Sequence, residues 1–364
     1  MGKNEYIYCL LSRNHTNFMQ NQEQNTSNQQ SSFKYDPNNP LVVGGQAVIE
    51  GVMMRAPGRI ATAVRRANGD IVVKKQEYRS LGEKYPIFKL PILRGAVGLI
   101  EMMFIGIETL NFSAEVAMQD AELENPKKNG EAKKREPASK LRLTLTVLFS
   151  LTVGIVIFFI GPLYVTTKLF NVEQEPFLFN FTAGLIRVSI LVGYMAAIAL
   201  MNDVKRLFQY HGAEHKLVFT FEQQAALVPE VAVKYTRFHP RCGTSFVLIV
   251  MLVAIFLFAI LDSVMILWLG KLSLMTRILT HIPLIPIVGG IAYEFIRWSA
   301  KRSDTAFGKL LVAPGLWLQR ITTNEPDKSQ LEVAAVAIRC ALGIETDQTV
   351  SFVQHASELV TAKS

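Results

Sequence analysis

The chain has 364 residues, half of them hydrophobic, and a formal net charge of +8 from 38 Lys and Arg against 30 Asp and Glu. The apolar residues gather into long blocks flanked by basic residues, with no Lys/Arg stripe interleaved with aromatics. That pattern excludes a nucleic-acid binder and points to a multipass membrane protein. Three cysteines without regular spacing, Cys9, Cys242 and Cys340, exclude a disulfide framework.

In chain order, residues 4–11 (NEYIYCLL) are too briefly apolar for a signal peptide, and no small-residue cleavage pattern follows. Residues 1–40 are rich in Asn, Gln and Ser and are expected to form a disordered tail. Their poverty in Arg also speaks against a transit peptide. Residues 41–90 predict a small soluble β-rich unit. Asn68–Gly69 lies between two β-prone runs, so strands are expected near 61–67 and 70–77, joined by a tight turn with both residues at positive φ. In the next segment Arg94, Glu101 and Glu108 recur every seven residues, which stacks three charges on one helix face. This predicts an amphipathic, membrane-associated helix over 91–118, lying on the bilayer or against the bundle, with a fifth span as the alternative. Residues 119–142 are strongly charged and read as a linker.

Four apolar runs follow, at 143–166, 182–201, 245–269 and 276–296, each long enough to cross a hydrocarbon core. They define a membrane domain over 143–302. Pro283, Pro286 and a Gly pair predict a kinked or partly re-entrant fourth run. Lys and Arg concentrate before the first run, in the 203–243 loop and after the fourth run, while the opposite loops carry only Lys168, Lys271 and Arg277. Positive-inside then puts both termini and the 203–243 loop in the cytoplasm. Residues 303–364 turn soluble again, with a helix expected at 331–343 that starts near NEPD (324–327). The expected fold is therefore an α-helical integral membrane protein. It has about four transmembrane helices, an amphipathic helix and a small N-terminal cytoplasmic unit containing a β-hairpin.

Two short patterns carry chemistry. In HGAEH (211–215), His211, Glu214 and His215 fall on one helix face. Two imidazoles at that spacing can hold one metal ion, and Glu214 can serve as a base. In HPRCG (239–243), His239 and Cys242 are close enough for one turn to aim both at the same ion. The two patterns sit at the two ends of one loop, which spans two and three hold close in space. With all four ligands the site is a closed tetrahedron and the metal structural; with three, water takes the fourth position. The mixed N/S set favours zinc or another divalent transition metal. A third pattern, GGQAVIEGVMMR (44–55), offers Gln46, Glu50 and Arg55 among glycines; with Arg241 these are accessory candidates, and the competing reading of Glu50 is a salt bridge in a β-turn. Asp262 and Arg187 lie inside apolar runs, where they either line the bundle interior, as a transport path would need, or snorkel to the outer surface.

GGQAVIEGVMMR, PILRG (91–95), YHGAEHK (210–216), HPRCGTSF (239–246) and PGLWLQRITTNEPD (314–327) occur in the same order as in the YqhQ family, which the chain resembles from Gly44 to Ile344. The resemblance implies a multipass bacterial membrane protein, predicted to be a metal-dependent enzyme of unestablished substrate. The family motifs fall on His211, Glu214, His215, His239 and Cys242 without departure. It also implies the bacterial cytoplasmic membrane, or a thylakoid or plastid membrane through relatives in photosynthetic lineages. The expected function is a membrane-bound, zinc-dependent hydrolase acting at the cytoplasmic face on a lipid-linked or membrane-protein substrate. The competing expectation is a non-enzymatic scaffold or assembly factor with a structural metal.

Overall fold

The computed structural model describes residues 7–11, 43–124, 140–240, 242–300, 305–344 and 350–354. An antiparallel sheet is built on a four-strand meander: β2 (Gly44–Val48), β3 (Gly51–Ala56), β4 (Arg59–Arg65) and β5 (Ile71–Glu77). β1 (Ile7–Leu11) and β6 (Val350–Gln354) extend it in the order β2-β3-β4-β5-β1-β6. β1 comes from the segment expected to be a disordered tail; the rest of that segment lies outside the described residues. Pro57–Gly58 turns β3 into β4, with proline fixing one φ and Gly58 at φ +81. The β4–β5 hairpin forms where Asn68–Gly69 predicts it, but the loop is longer than a two-residue turn. Gly69 N–H donates to Arg66 O at 2.9 Å, and only Gly69 takes positive φ. Asn68 instead accepts the Asp70 N–H on its side chain at 3.0 Å.

The strands carry little polar alternation because both sheet faces are covered. Val52, Met54, Ala61, Ala63, Ile71 and Val73 point one way and Val48, Met53, Ile60, Val64 and Val72 the other, and all are buried. The first face packs on α6 (Asn202–Glu222) and α11 (Lys328–Ala341), through Tyr210, Ala213 and Leu217 and through Leu331, Ala334 and Ile338. The expected 331–343 helix is therefore part of this core. The second face packs on Ile105, Phe112 and Val116 of α2 (Leu93–Glu124). A short α1 (Leu81–Lys84) leads into α2.

Helix α2 uses its charged stripe to grip protein. Arg94 pairs with Glu294, Glu101 accepts the Leu81 N–H at 2.5 Å, and Glu108 accepts from Lys74 Nζ at 3.0 Å and Gln76 at 2.5 Å. A flank of the same helix exposes Ile100, Met103 and Phe104. The helix runs past residue 118 into the expected linker, of which 125–139 lie outside the described residues.

Four helical stretches are long and apolar enough to cross a membrane: Leu145–Leu169, Pro176–Ile198, Phe246–Leu269 and Leu274–Ser299. The first comprises α3 (Lys140–Ile155), a π-turn (Val156–Ile160) and α4 (Gly161–Leu169). The others are α5 (Pro176–Ile198), α8 (Gly243–Leu269) and α9 (Leu274–Ala300). The second starts at Pro176 rather than 182, since proline suits the first helical turn. Helix α9 stays helical through Pro283 and Pro286. Pro162 lacks the N–H that the Phe158 carbonyl would take in a regular helix; Arg187 Nε supplies a donor there at 2.9 Å. The costly Arg187 thus repairs a broken backbone bond. Between the second and third of these stretches, the expected loop is largely α6 and a short α7 (Pro229–Ala232). After the fourth stretch, α10 (Ala306–Thr322) returns the chain to the sheet.

Candidate metal centre

Helix α6 carries HGAEH on a face that is buried apart from the half-buried His211. His211 Nδ1 bonds the Thr322 carbonyl at 2.8 Å and His215 Nδ1 the Arg237 carbonyl at 2.5 Å. A carbonyl can only accept, so both rings carry their proton on Nδ1, which leaves both Nε2 lone pairs free for the site. His211 Nε2 lies 3.3 Å from Cys242 Sγ. His215 Nε2 is buried, with no hydrogen-bond partner among the described residues. One ligand atom each from His211, His215 and Cys242 lies within 4.8 Å of the others. Ligands around a tetrahedral zinc stand ~3.3–3.8 Å apart, given bonds of about 2.0–2.3 Å. The triad needs only a small contraction to fit. Burial holds His215 below the ordinary imidazole range, which keeps it in the neutral form that binds metal. Cys242 is the N-cap of α8 and accepts the Thr244 N–H on its sulfur at 3.5 Å.

His239 does not join the triad. Its Nε2 is 3.2 Å from Glu222 Oε1, although its ring centroid is only 5.7 Å from that of His215. Gln319 holds the residue there, accepting from His239 N at 2.8 Å and donating to its carbonyl at 2.7 Å. Glu214 is buried beside the triad, with Oε1 accepting from Gly45 N at 2.9 Å. Burial pushes its carboxyl above the usual range, opposed by the nearby His211 and the Gly45 N–H. Any side chain at Gly45 would strike the Met53 carbonyl and crowd Glu214 Cγ. The Gly pair of GGQAVIEG is thus what lets the edge strand reach the Glu214 carboxylate.

Among the accessory candidates, Glu50 sits at φ +53 in the β2–β3 turn, where it pairs with Arg206 and accepts from Tyr210 OH at 3.2 Å. Gln46 lies against Gly106 of α2, and Arg55 reaches Met102 Sδ at 3.1 Å and covers the Tyr78 ring. Neither joins the triad. Arg241 lies outside the described residues.

Sequence reasoning assigned no chemistry to the strap 322–327 of the TTNEPD motif. It runs across α6: Thr322 O takes His211, Asn324 N donates to Phe208 O at 2.8 Å, and Glu325 pairs with the buried Lys216. Arg237 donates to the Thr323 carbonyl. Gly212 has no side chain because the Asn324 carbonyl occupies that space. These contacts join segments more than 80 residues apart, and no spacing rule reports them. Only the quoted motif marked the strap.

Fold and site together define a helical protein with four membrane-span-length helices, a sheet unit docked beneath them and a His/His/Cys cluster where the two parts meet. A family model described as "Protein of unknown function (DUF1385)" matches residues 90–344. The chain is 32% identical over 309 residues to the "Uncharacterized protein YqhQ" of Bacillus subtilis (strain 168), which covers 84% of this chain and 94% of that protein. The chain belongs to this YqhQ family. No solved structure matches it.

Proposed function

We propose that the chain is a membrane-bound, metal-dependent enzyme of the hydrolase type, with zinc held by His211, His215 and Cys242 at the cytoplasmic face. The observation that carries this reading is the triad, in which two Nδ1–H groups spent on carbonyls aim two Nε2 atoms at one thiol. Three protein ligands are the number that leaves a coordination position for water. Zinc there would act as a Lewis acid and lower the pKa of a water molecule. Glu214, adjacent and with its affinity for protons raised, takes the role of general base, and Gly45 N–H orients it. The His239–Glu222 pair stands beside the site. The apolar side of α2 and the basic loop ends favour a lipid-linked or membrane-embedded substrate.

A second reading is favoured by the 5.7 Å approach of the His239 ring. If His239 turns inward, four ligands close the tetrahedron and the metal is structural, as a scaffold or assembly factor requires. Metal analysis of the detergent-purified chain separates the two. The enzyme reading expects about one zinc per chain, lost in His211→Ala and Cys242→Ala and kept in His239→Ala and Glu214→Gln. It also expects azide to change the visible spectrum of the cobalt-substituted protein through an open coordination position. Loss of zinc in His239→Ala together with a cobalt spectrum blind to azide would establish the closed site. A wild type that takes up no metal after zinc is added back would end both readings.

A further inference from the structure

A second ionisable cluster lies inside the bundle, far from the triad. Asp262 is the twentieth residue after Cys242 along α8, so ~30 Å of helix separates the two centres at 1.5 Å per residue. Asp262, Arg277 and His281 are fully buried and Asn180 nearly so. Asp262 Oδ2 accepts from Asn180 Nδ2 at 2.8 Å and Arg277 Nε at 3.0 Å. Asp262 Oδ1 meets His281 Nε2 at 2.9 Å. Arg277 also donates to the Glu173 carbonyl at 2.6 Å and lies 3.6 Å from the centre of the Phe179 ring.

A buried donor or acceptor left without a partner costs about 1–3 kcal/mol. Among the described residues, two atoms of this cluster have none, Arg277 Nη1 and His281 Nδ1. The Asp262 carboxylate accepts the Nε2–H of His281, so the neutral ring turns a bare Nδ1 lone pair away from it. The rest of the pocket suits a charged ring. The imidazole lies flat on Phe258 with centroids 4.1 Å apart and planes 4° from parallel, which places an aromatic face against any positive charge. Phe159 closes the edge.

We infer that His281, buttressed by Asp262 and Phe258, is a proton-binding site within the membrane domain, with the proton bound at Nδ1. The charges around it are few. Asp262 on α8 and Arg277 on α9 balance each other. Arg187 on α5 faces the Phe159 ring at 5.0 Å and is held to Phe158 O. Glu173 reaches the cluster through its carbonyl, and Lys168 of α4 is exposed. With neutral His281, Asp262 and Arg277 leave no net charge; binding a proton adds one positive charge, which Asp262 and the Phe258 face hold. Ionisable groups paired in this way in a membrane interior are the material of proton relays.

The test is nitrogen NMR of the full chain labelled with 15N-histidine in lipid nanodiscs, as a function of pH. The chain has six histidines. The His281 signal is the one absent in His281→Gln. If that variant does not fold, it is the signal that survives when each of the other five is replaced in turn. The expected result is one neutral tautomer, protonated at Nε2, passing to a doubly protonated ring within the pH range where the protein stays folded. In Asp262→Asn that transition moves by more than about one pH unit, the weight of a neighbouring charge. A His281 ring that stays neutral, or stays doubly protonated, over the whole folded range overturns the inference. The wild-type titration alone decides this if Asp262→Asn fails to fold.

Discussion

Replacing Gly212 with alanine sets two effects on α6 against each other. Glycine in a helix interior is worse than alanine by about 1 kcal/mol, so propensity alone makes the substitution stabilising. The new Cβ, however, would fall inside the van der Waals envelope of the Asn324 carbonyl and within 3.3 Å of Pro326 Cδ. The obstacle is backbone, and the strap cannot turn aside as a side chain could. Overpacking of this kind costs about 1–3 kcal/mol. Lifting the strap also weakens the Asn324–Phe208 and His211–Thr322 bonds, each worth about 0.5–1.5 kcal/mol. The balance is a net loss of about 1–3 kcal/mol. The strap also fixes the tautomer and aim of His211, so on the proposed metal-site reading zinc affinity should fall about 10- to 100-fold, the usual effect of losing a carbonyl behind a metal-binding histidine. Thermal unfolding in detergent reads the first effect, and competition with a chelating dye reads the second. A Gly212→Ala protein with a raised melting temperature and wild-type zinc affinity would refute the reasoning, because propensity would then outweigh a strap that yields freely.

Other outcomes follow from the same contacts. Gly45→Ala should displace β2 from Met53 O and Glu214, lowering thermal stability by about 1–3 kcal/mol while zinc content stays at the wild-type level. Asp327 caps α11 in a reciprocal capping box with Gln330; Asp327→Ala should cost about 1 kcal/mol. Burial alone would raise the Asp327 pKa, but the Ser329 and Gln330 donors outweigh it and hold the group below its ordinary 3.8. The cap's ionic contribution is therefore complete above that value and lost as pH falls through the lower folded one; acid unfolding curves of wild type and Asp327→Ala should converge there. Arg206→Ala breaks a half-exposed ion pair with Glu50 and should change stability by less than about 1 kcal/mol in chemical denaturation, an effect further reduced by salt.

The membrane-length helices were legible because hydropathy acts over some twenty residues at once. Their ends were less so: Pro176 opens span two ahead of the apolar run that marks it. The Arg94, Glu101 and Glu108 stripe was visible, but the partners that turn it toward protein, Glu294, Leu81 and Lys74, lie on other segments. In the site, HxxEH and Cys242 could be read from spacing. The separation of His239 from the triad could not, because it depends on Gln319 and Glu222, which no local pattern links to it. The sheet faces were hidden for another reason. Strands buried on both sides lose the alternation by which a strand's inner face is recognised.

Helix α2 is a single rod of 32 residues, ~48 Å long at 1.5 Å per residue. One end is clamped to α9 at Gly95–Gly290 and Arg94–Glu294, and its middle lies under the sheet, where Gly106 touches Gln46, next to Gly45. About 16 Å of rod lies between those two points, so a 5° tilt of α9 would displace Gly106 by ~1.4 Å. The rod is a lever arm by which a tilt of α9 becomes a mechanical load on the strand that grips Glu214.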